Sequence, residues 1–314
     1  MLAFGAVVCL TGCGSPPPVA PTPTLAIVCP ANESVRATLG NANATVTYSA
    51  PSATGGKAPL TTSCSPLSGA SFPVGTTPVS CTTTDSGGHE AQCSFSVAVD
   101  PAPVPRLSLT KFMAYGDSFT EGKTSATKCT GGMVFPTSYT LKLTAMLLSR
   151  YSAQTIVVVN EGCGGEPAVD AVGTGRFDER LAADNPQVLL LIDGANDIIG
   201  GNPAVIPAVV GAMDTMGSHA TARGAQVFIA TLPPSDPTKR SGTGAPLVGP
   251  LNSGIATLAS KRGWTLVDVN AAFKGDLGLL GSDGLHPTDA GHQVIAQTFY
   301  DQIVKTLELP PAVR

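Results

Sequence analysis

The sequence is poor in charged and aromatic side chains. Asp, Glu, Lys and Arg make up 13% of its 314 residues, Phe, Trp and Tyr make up 5%, and the formal net charge is −4. Binding to nucleic acid or to an anionic surface requires a basic patch, so we expect neither as a partner. Histidine is also scarce, with four residues in the chain, which leaves few candidates for a catalytic base. Hydrophobic residues still reach 43%, enough for buried cores, and the length predicts two domains.

The N-terminal apolar run Leu2–Leu10 is too short for a transmembrane helix. It ends in Leu10-Thr11-Gly12-Cys13, which resembles the lipobox of bacterial lipoproteins, although no Lys or Arg precedes the run. The resemblance implies a signal peptide over residues 1–13, lipidation of Cys13 and a Pro-rich tether over residues 14–24. It also implies export to the bacterial cell envelope or beyond, with membrane contact only through the lipid. The alternatives are an ordinary signal peptide and a buried strand.

Residues 25–100 show no helical periodicity. Short β-rich runs are separated there by Gly, Pro, Ser and Asn clusters, which predicts a small all-β sandwich. Four cysteines without a Cys-x-x-Cys pair favour two disulfides over a metal site, and three connectivities are open. The β-rich runs are Ala44–Ser49, Thr77–Thr83 and Gln92–Val99, and the cysteines are Cys29, Cys64, Cys81 and Cys93.

The residue motifs of this segment are more specific for a protein family than its composition is. Cys64–Pro66, Phe72–Cys81 and Cys93–Phe95 resemble the HYR (hyalin repeat) module, with a departure at His89, where the family commonly has Asn. The resemblance implies an immunoglobulin-like sandwich. It also implies a role in adhesion, with a surface polymer or glycan as the candidate ligand, whereas a passive spacer is the alternative.

The chain is predicted to be multidomain, because its pattern changes after a Pro-rich linker at residues 101–106. From residue 107 to residue 314, short apolar runs alternate with stretches of helical spacing. Parallel strands covered on both faces have such runs, and five repeats predict a flavodoxin-like three-layer α/β/α sandwich with a five-stranded parallel sheet. The predicted strands are Phe112–Tyr115, Thr155–Asn160, Gln187–Ile192, Gln226–Thr231 and Thr265–Val269. The predicted helices are Tyr139–Leu148, Val205–Met216, Leu251–Ala259 and Ala290–Leu307.

Polar residues follow the predicted strands, at the edge where such sheets bind ligands. Ester hydrolysis by serine needs an accessible hydroxyl, a base and donors for the oxyanion. Ser118 is the candidate nucleophile and His286 the candidate base, with Asp283 fixing the imidazole tautomer. The candidate oxyanion donors are the backbone N–H groups of Ser118 and Gly165 and the side-chain amide of Asn196. Taken singly, each residue could instead be a helix cap or a turn former.

These residues together resemble the SGNH (GDSL-type) hydrolase family over residues 107–309. The resemblance implies the Ser118–His286–Asp283 triad, the three oxyanion donors named above, and neither a cofactor nor a metal. A Gly-x-Ser-x-Gly elbow is absent from the sequence, which argues against the α/β-hydrolase class. The matching motifs are Gly116-Asp117-Ser118, Gly165 five residues after Asn160, Gly194-x-Asn196-Asp197 and Asp283-x-x-His286.

Two further cysteines, Cys129 and Cys163, lie in the loops after the first two predicted strands of this domain. Those strands should be neighbours, so we predict a disulfide at the rim of the site. The alternative is a reactive cysteine, which lacks a nearby histidine in sequence.

The sequence therefore predicts an exported esterase or lipase that acts on a small-molecule or glycan-linked ester. The segment Pro233–Pro246 is rich in Gly, Pro, Ser and Thr, which favours short acyl groups over long lipid chains. It is predicted to line the pocket together with Thr124–Pro136 and Gly173–Asp178. The alternatives are an acyltransferase or carbohydrate deacetylase with the same triad, and an adhesion protein dominated by the HYR-like module.

Overall fold

A computed structural model describes residues 23–122, 137–239 and 242–310. Contacts between Cα atoms divide the chain into two units, Met1–Pro103 and Val104–Arg314. Four predicted features lie outside the described residues: the signal peptide with Cys13, most of the tether, Cys129, and the whole of the loop Thr124–Pro136. Within the described ranges, none of the helices combines the length and apolar character that crossing a membrane requires.

The first unit is all β, as predicted. Its described residues form a four-stranded sheet in the order β2-β8-β7-β5 and two strand pairs, β1-β4 and β3-β6, once the strands are numbered along the chain. All pairings are antiparallel except β2 with β8. The strands are β1 (Ala26–Val28), β2 (Glu33–Arg36), β3 (Asn43–Val46), β4 (Ser52–Thr54), β5 (Thr61–Ser65), β6 (Ala70–Pro73), β7 (Gly75–Thr84) and β8 (Glu90–Asp100).

The core of this unit follows the two-residue period of its strands. On β7, Val79 and Cys81 point inward, and on β8 Val97 and Val99 do the same. Two disulfides cross-link this unit: Cys64–Cys81 joins β5 to β7, and Cys29–Cys93 joins the residue after β1 to β8. Each is expected to contribute about 2–4 kcal/mol, which is substantial for so small a core.

The second unit contains the predicted parallel sheet, in the order β10-β9-β11-β12-β13. Helices cover both faces of the sheet, which gives the three-layer α/β/α sandwich. The strands are β9 (Lys111–Gly116), β10 (Val157–Gly162), β11 (Val188–Ile192), β12 (Gln226–Ala230) and β13 (Thr265–Val267). The described helices are α1 (Ser118–Glu121), α2 (Tyr139–Arg150), α3 (Ala168–Gly173), α4 (Arg176–Asp184), α5 (Ala195–Ile198), α6 (Ile206–Ala222), α7 (Ala245–Arg262), α8 (Val269–Ala272) and α9 (Asp289–Leu307).

The strands could be predicted from apolar runs because both faces of the sheet are buried. Every residue of β11, Val188–Ile192, is fully buried. Helix α2 packs against α9, where the rings of Tyr139 and Phe299 stack with centroids 5.3 Å apart, and α6 packs against α3 and α7. These covering layers leave the carboxyl ends of the strands as the edge where polar groups collect.

Two of the local expectations that differ from the structure have a clear physical cause. The segment Gly173–Asp178, predicted as a loop, contains the end of α3 and the start of α4, separated by Gly175 at φ 78°. Helix α4 forms because Phe177 and Leu181 bury one of its faces. Val269 begins α8 instead of ending the fifth strand, because the Asp268 carboxylate caps that helix at the Ala271 N–H.

Candidate active site

Ser118 lies at the tight turn that ends β9. Gly116 adopts φ 153°, and a Cβ added there would lie 1.9 Å from the carbonyl oxygen of Ile192, so the turn requires glycine. Asp117 caps α1, since its Oδ1 accepts from the Phe119 N–H at 3.0 Å. Ser118 is thus the first residue of the helix and not its cap. Its N–H has no acceptor within the helix, as is usual for the first turn.

The structure brings Ser118, His286 and Asp283 together. Ser118 Oγ lies 2.9 Å from His286 Nε2, and His286 Nδ1 lies 2.6 Å from Asp283 Oδ2. Ser118 and His286 are each 3% exposed, so their contact is shielded from bulk water. A hydroxyl–imidazole–carboxylate chain of this geometry can transfer the hydroxyl proton to the imidazole.

The loop that carries Asp283 and His286 is held by its own backbone. Asp283 Oδ1 accepts from the N–H groups of Leu285 and His286 at 3.0 and 3.1 Å. The Gly284 carbonyl accepts from the Asp236 N–H at 2.8 Å, which fastens this loop to its neighbour. Partial burial raises the pKa of Asp283, but the hydrogen bonds from His286 and from the two N–H groups outweigh it and hold the pKa below its ordinary value. Asp283 is therefore ionised at neutral pH.

Gly165 lies in the turn that follows β10. Gly162, at the end of β10, pairs in register with Gly116, and the Cys163 N–H donates to the Gly116 carbonyl at 2.8 Å. This pairing places the turn at the same sheet edge as Ser118. Gly165 itself is exposed and adopts φ 84°, a conformation that favours glycine. Cys163 is buried, and Cys129, with which it is predicted to form a disulfide, lies outside the described residues.

Asn196 connects the two neighbouring turns. Its Nδ2 donates to the Glu166 carbonyl at 3.1 Å and to Asp117 Oδ2 at 3.4 Å. The amide is therefore fixed between the residue that precedes Ser118 and the residue that follows Gly165. An incoming oxyanion would have to replace the longer and weaker of these two bonds, the one to Asp117. This double use of the amide was not predicted from the sequence.

Two buried carboxyl groups lie beneath the site, Asp117 and Asp193, and both are fully buried. Asp193 Oδ1 accepts from the Gly194 N–H at 2.7 Å, whereas Oδ2 has no hydrogen-bond partner. Burial raises the pKa of Asp117 to about 7, and burial together with the nearby Asp117 raises the pKa of Asp193 well above its ordinary value. Asp193 was not predicted from the sequence; the available signal was one acidic residue directly after an entirely apolar strand.

These raised pKa values predict that the protein loses stability as pH rises. Between about pH 4 and pH 7 the two carboxyls ionise in the unfolded chain before they ionise in the folded protein, so the free energy of unfolding falls across that window. Asp193→Asn removes one of the two groups. We expect it to flatten the fall, so that the free energy of unfolding decreases less between pH 4.5 and pH 7.5 than in the wild type.

Urea unfolding of the wild type and of Asp193→Asn at pH 4.5 and 7.5 measures this effect. The matched control is Asp301→Asn, at an exposed position of α9. Equal pH dependence in the wild type and Asp193→Asn would show that Asp193 does not titrate in this range.

A small apolar pocket adjoins the candidate triad. Three of its lining residues, Phe119, Ala195 and Leu285, are the chain neighbours of Ser118, Asn196 and His286. Its volume is about 10 Å³, close to what one water molecule needs. Of the predicted pocket segments, Pro233–Pro246 contributes to the lining, whereas Gly173–Asp178 does not. The lining residues are Phe119, Ala195, Ile198, Ile199, Leu232, Pro233, Ser235, Gly244, Val248 and Leu285.

The fold and the site together define a hydrolase with a parallel-sheet α/β/α domain. Residues 114–294 match the model of the GDSL-like lipase/acylhydrolase family, and the chain belongs to that family. Residues 21–99 match the HYR domain. Both resemblances predicted from the sequence are thereby confirmed.

Three solved structures match between 62% and 66% of the chain. LAE5, an alpha/beta hydrolase enzyme from the metagenome of Lake Arreo in Spain, is 21% identical with a TM-score of 0.52, over 62% of this chain and 94% of LAE5. The acetylxylan esterase Axe2 from Geobacillus stearothermophilus is 19% identical with a TM-score of 0.51, over 62% and 94%. A lipase/acylhydrolase from Enterococcus faecalis is 20% identical with a TM-score of 0.52, over 66% and 100%. At these identities the likeness shows the fold alone. A search of the curated proteins found no match.

Proposed function

We propose that this chain is an exported serine esterase that hydrolyses acetyl or other short-chain acyl esters. The observation that carries the proposal is the continuous chain of short contacts from Ser118 Oγ through His286 to Asp283, at 2.9 and 2.6 Å. Two disulfides in the HYR domain support export to an oxidising compartment, and lipidation of Cys13 stays a prediction.

In the first half of the proposed reaction, Ser118 Oγ attacks the ester carbonyl while His286 Nε2 takes its proton. Asp283 accepts from Nδ1–H, which keeps Nε2 free as the acceptor and stabilises the imidazolium that forms. The N–H groups of Ser118 and Gly165 and the amide of Asn196 would bind the oxyanion. His286 then returns the proton to the leaving alcohol, and an acyl group remains on Ser118.

In the second half, water attacks the acyl-serine with His286 again as the base, and the released Ser118 hydroxyl recovers its proton. If a sugar hydroxyl replaced water, the same site would transfer the acyl group, because only the acceptor differs. Hydrolysis is the proposal; product analysis with a carbohydrate acceptor present identifies transfer.

The size of the apolar pocket supports a short acyl group. It borders Ser118 through Phe119 and His286 through Leu285, and a volume of about 10 Å³ has room for little more than a methyl group. An acyl chain too long for this space would have to extend out of the pocket or displace lining side chains such as Leu232 and Val248, and such repacking costs about 1–3 kcal/mol.

An acyl-chain series tests this assignment. We expect p-nitrophenyl acetate to be the best substrate, with kcat/KM falling by about tenfold or more at the octanoate. Acetylated xylan belongs in the series, because Axe2, an acetylxylan esterase, has the same fold. A maximum at long acyl chains would contradict the short-chain assignment, and absence of hydrolysis of every ester would contradict the esterase assignment.

A further inference from the structure

Arg176 and Glu166 form an ion pair close to the candidate oxyanion donors. Arg176 Nε lies 2.8 Å from both carboxylate oxygens of Glu166, and a terminal guanidinium nitrogen lies 2.6 Å from one of them. The side chains are only 22% and 12% exposed. Water therefore screens the pair less than it screens a surface ion pair.

The guanidinium has two further contacts that hold it against the sheet. It donates to the Glu161 carbonyl at 3.2 and 3.3 Å, and it lies over the ring of Tyr115, 4.5 Å from the centroid. Tyr115 lies on β9 and Glu161 on β10. Arg176 thus ties Glu166 to the two strands that end at the site. Only arginine combines this planar stacking with a two-pronged bond to a carboxylate.

Glu166 lies where the two candidate donors meet. It directly follows Gly165, and its carbonyl accepts from Asn196 Nδ2 at 3.1 Å. A second hydrogen bond links the same two segments, because the Asp197 carboxylate accepts from the Ala168 N–H at 2.7 Å. Any displacement of Glu166 would therefore move the Gly165 N–H and the Asn196 amide together.

We infer that Arg176 and Glu166 are positioning residues that set the geometry of the oxyanion donors Gly165 and Asn196. The inference rests on the proposed esterase function. Neither side chain contacts the reacting atoms in this role; both act through the turn at residues 163–166. Oxyanion donors must be held within about 0.5 Å of their working positions, and losing one donor costs about 10²–10³ in kcat. Displacing the donors Gly165 and Asn196 should therefore lower kcat by less than removing one of them.

Steady-state kinetics of Arg176→Ala, Arg176→Lys and Glu166→Gln on p-nitrophenyl acetate test the inference. We expect kcat to fall by roughly 10–100-fold in Arg176→Ala and Glu166→Gln, with KM within about twofold, because the donors act on the transition state. Arg176→Lys keeps the charge but loses the two-pronged bond, so we expect an intermediate loss. The Arg176→Ala/Glu166→Gln double variant should lose no more than the worse single variant, because both act through one contact.

Arg262→Ala is the matched control. It removes a two-pronged ion pair with Asp214 on the exposed surface, so its kcat should equal that of the wild type. If Arg176→Ala does not fold, the kcat values of Arg176→Lys and Glu166→Gln test the positioning role. Unchanged kcat in these folded variants, or a rise in KM alone, would overturn the positioning role while leaving the esterase function intact. A wild-type protein without Ser118-dependent turnover would overturn both.

Discussion

Ser118→Ala is expected to lower kcat on p-nitrophenyl acetate by about 10⁶. The hydroxyl of Ser118 contacts His286 Nε2 at 2.9 Å, and the variant leaves the imidazole with no hydroxyl to activate. Binding contacts and oxyanion donors remain, but without a nucleophile they cannot form an acyl intermediate. The loss should therefore appear in kcat, with the substrate still bound.

Labelling with a fluorophosphonate gives an independent measure of the same residue. The wild type should gain one covalent adduct on the peptide that contains Ser118, and Ser118→Ala should gain none. Ser253→Ala, which removes an exposed hydroxyl on α7, is the control and should be labelled and active like the wild type. Undiminished turnover in folded Ser118→Ala would remove Ser118 from the mechanism.

The parallel sheet could be predicted because burial on both faces leaves a simple trace in the sequence. Val188–Ile192 is apolar at every position, and each of the other four strands begins or ends within two residues of its predicted bounds. The candidate triad was predictable for a related reason. Strand ends converge at one sheet edge, so residues such as Ser118 and Asn196 could be placed together without any knowledge of their distances.

The disulfide connectivity could not be predicted, because it depends on strand register. Cys81 on β7 lies opposite Cys64 on one side and opposite Cys93 on the other. Both pairings are compatible with sheet geometry, yet Cys81 bonds to Cys64, and Cys93 bonds to Cys29. Sequence spacing carries no information on this choice.

The Glu166–Arg176 pair was missed for a similar reason. Arg176 begins a short helix whose segment was predicted as a variable loop, and its partners lie on two strands and a turn. Such contacts depend on how far α4 extends and on where it packs. A charged residue next to a predicted oxyanion glycine was the only local signal, and by itself it indicates a solvated side chain.

Asp283→Asn is expected to lower kcat by about 10⁴ while the fold is retained. The Asn carbonyl can keep the bonds that Asp283 Oδ1 accepts from the N–H groups of Leu285 and His286, so the loop should hold its shape. Its NH₂ group would then face His286 Nδ1, where the structure has a carboxylate oxygen at 2.6 Å. A donor at this position favours the tautomer protonated on Nε2, which donates to Ser118 and cannot take its proton.

The comparison of Asp283→Asn with Asp283→Ala separates tautomer control from loop support. Asp283→Ala removes the bonds to Leu285 and His286 as well, so it should lose thermal stability in addition to activity, whereas Asp283→Asn should lose activity with little change in Tm. Asp301→Asn, at an exposed position of α9, serves as the control for both.

Because the hydrogen bonds hold the pKa of Asp283 below its ordinary value, the stability from this loop is present above about pH 4 and is lost only as the pH falls through the folded-state pKa. Assays near neutral pH therefore measure the carboxylate form of the wild type, and a loss smaller than tenfold in Asp283→Asn would mean that His286 is oriented by another group.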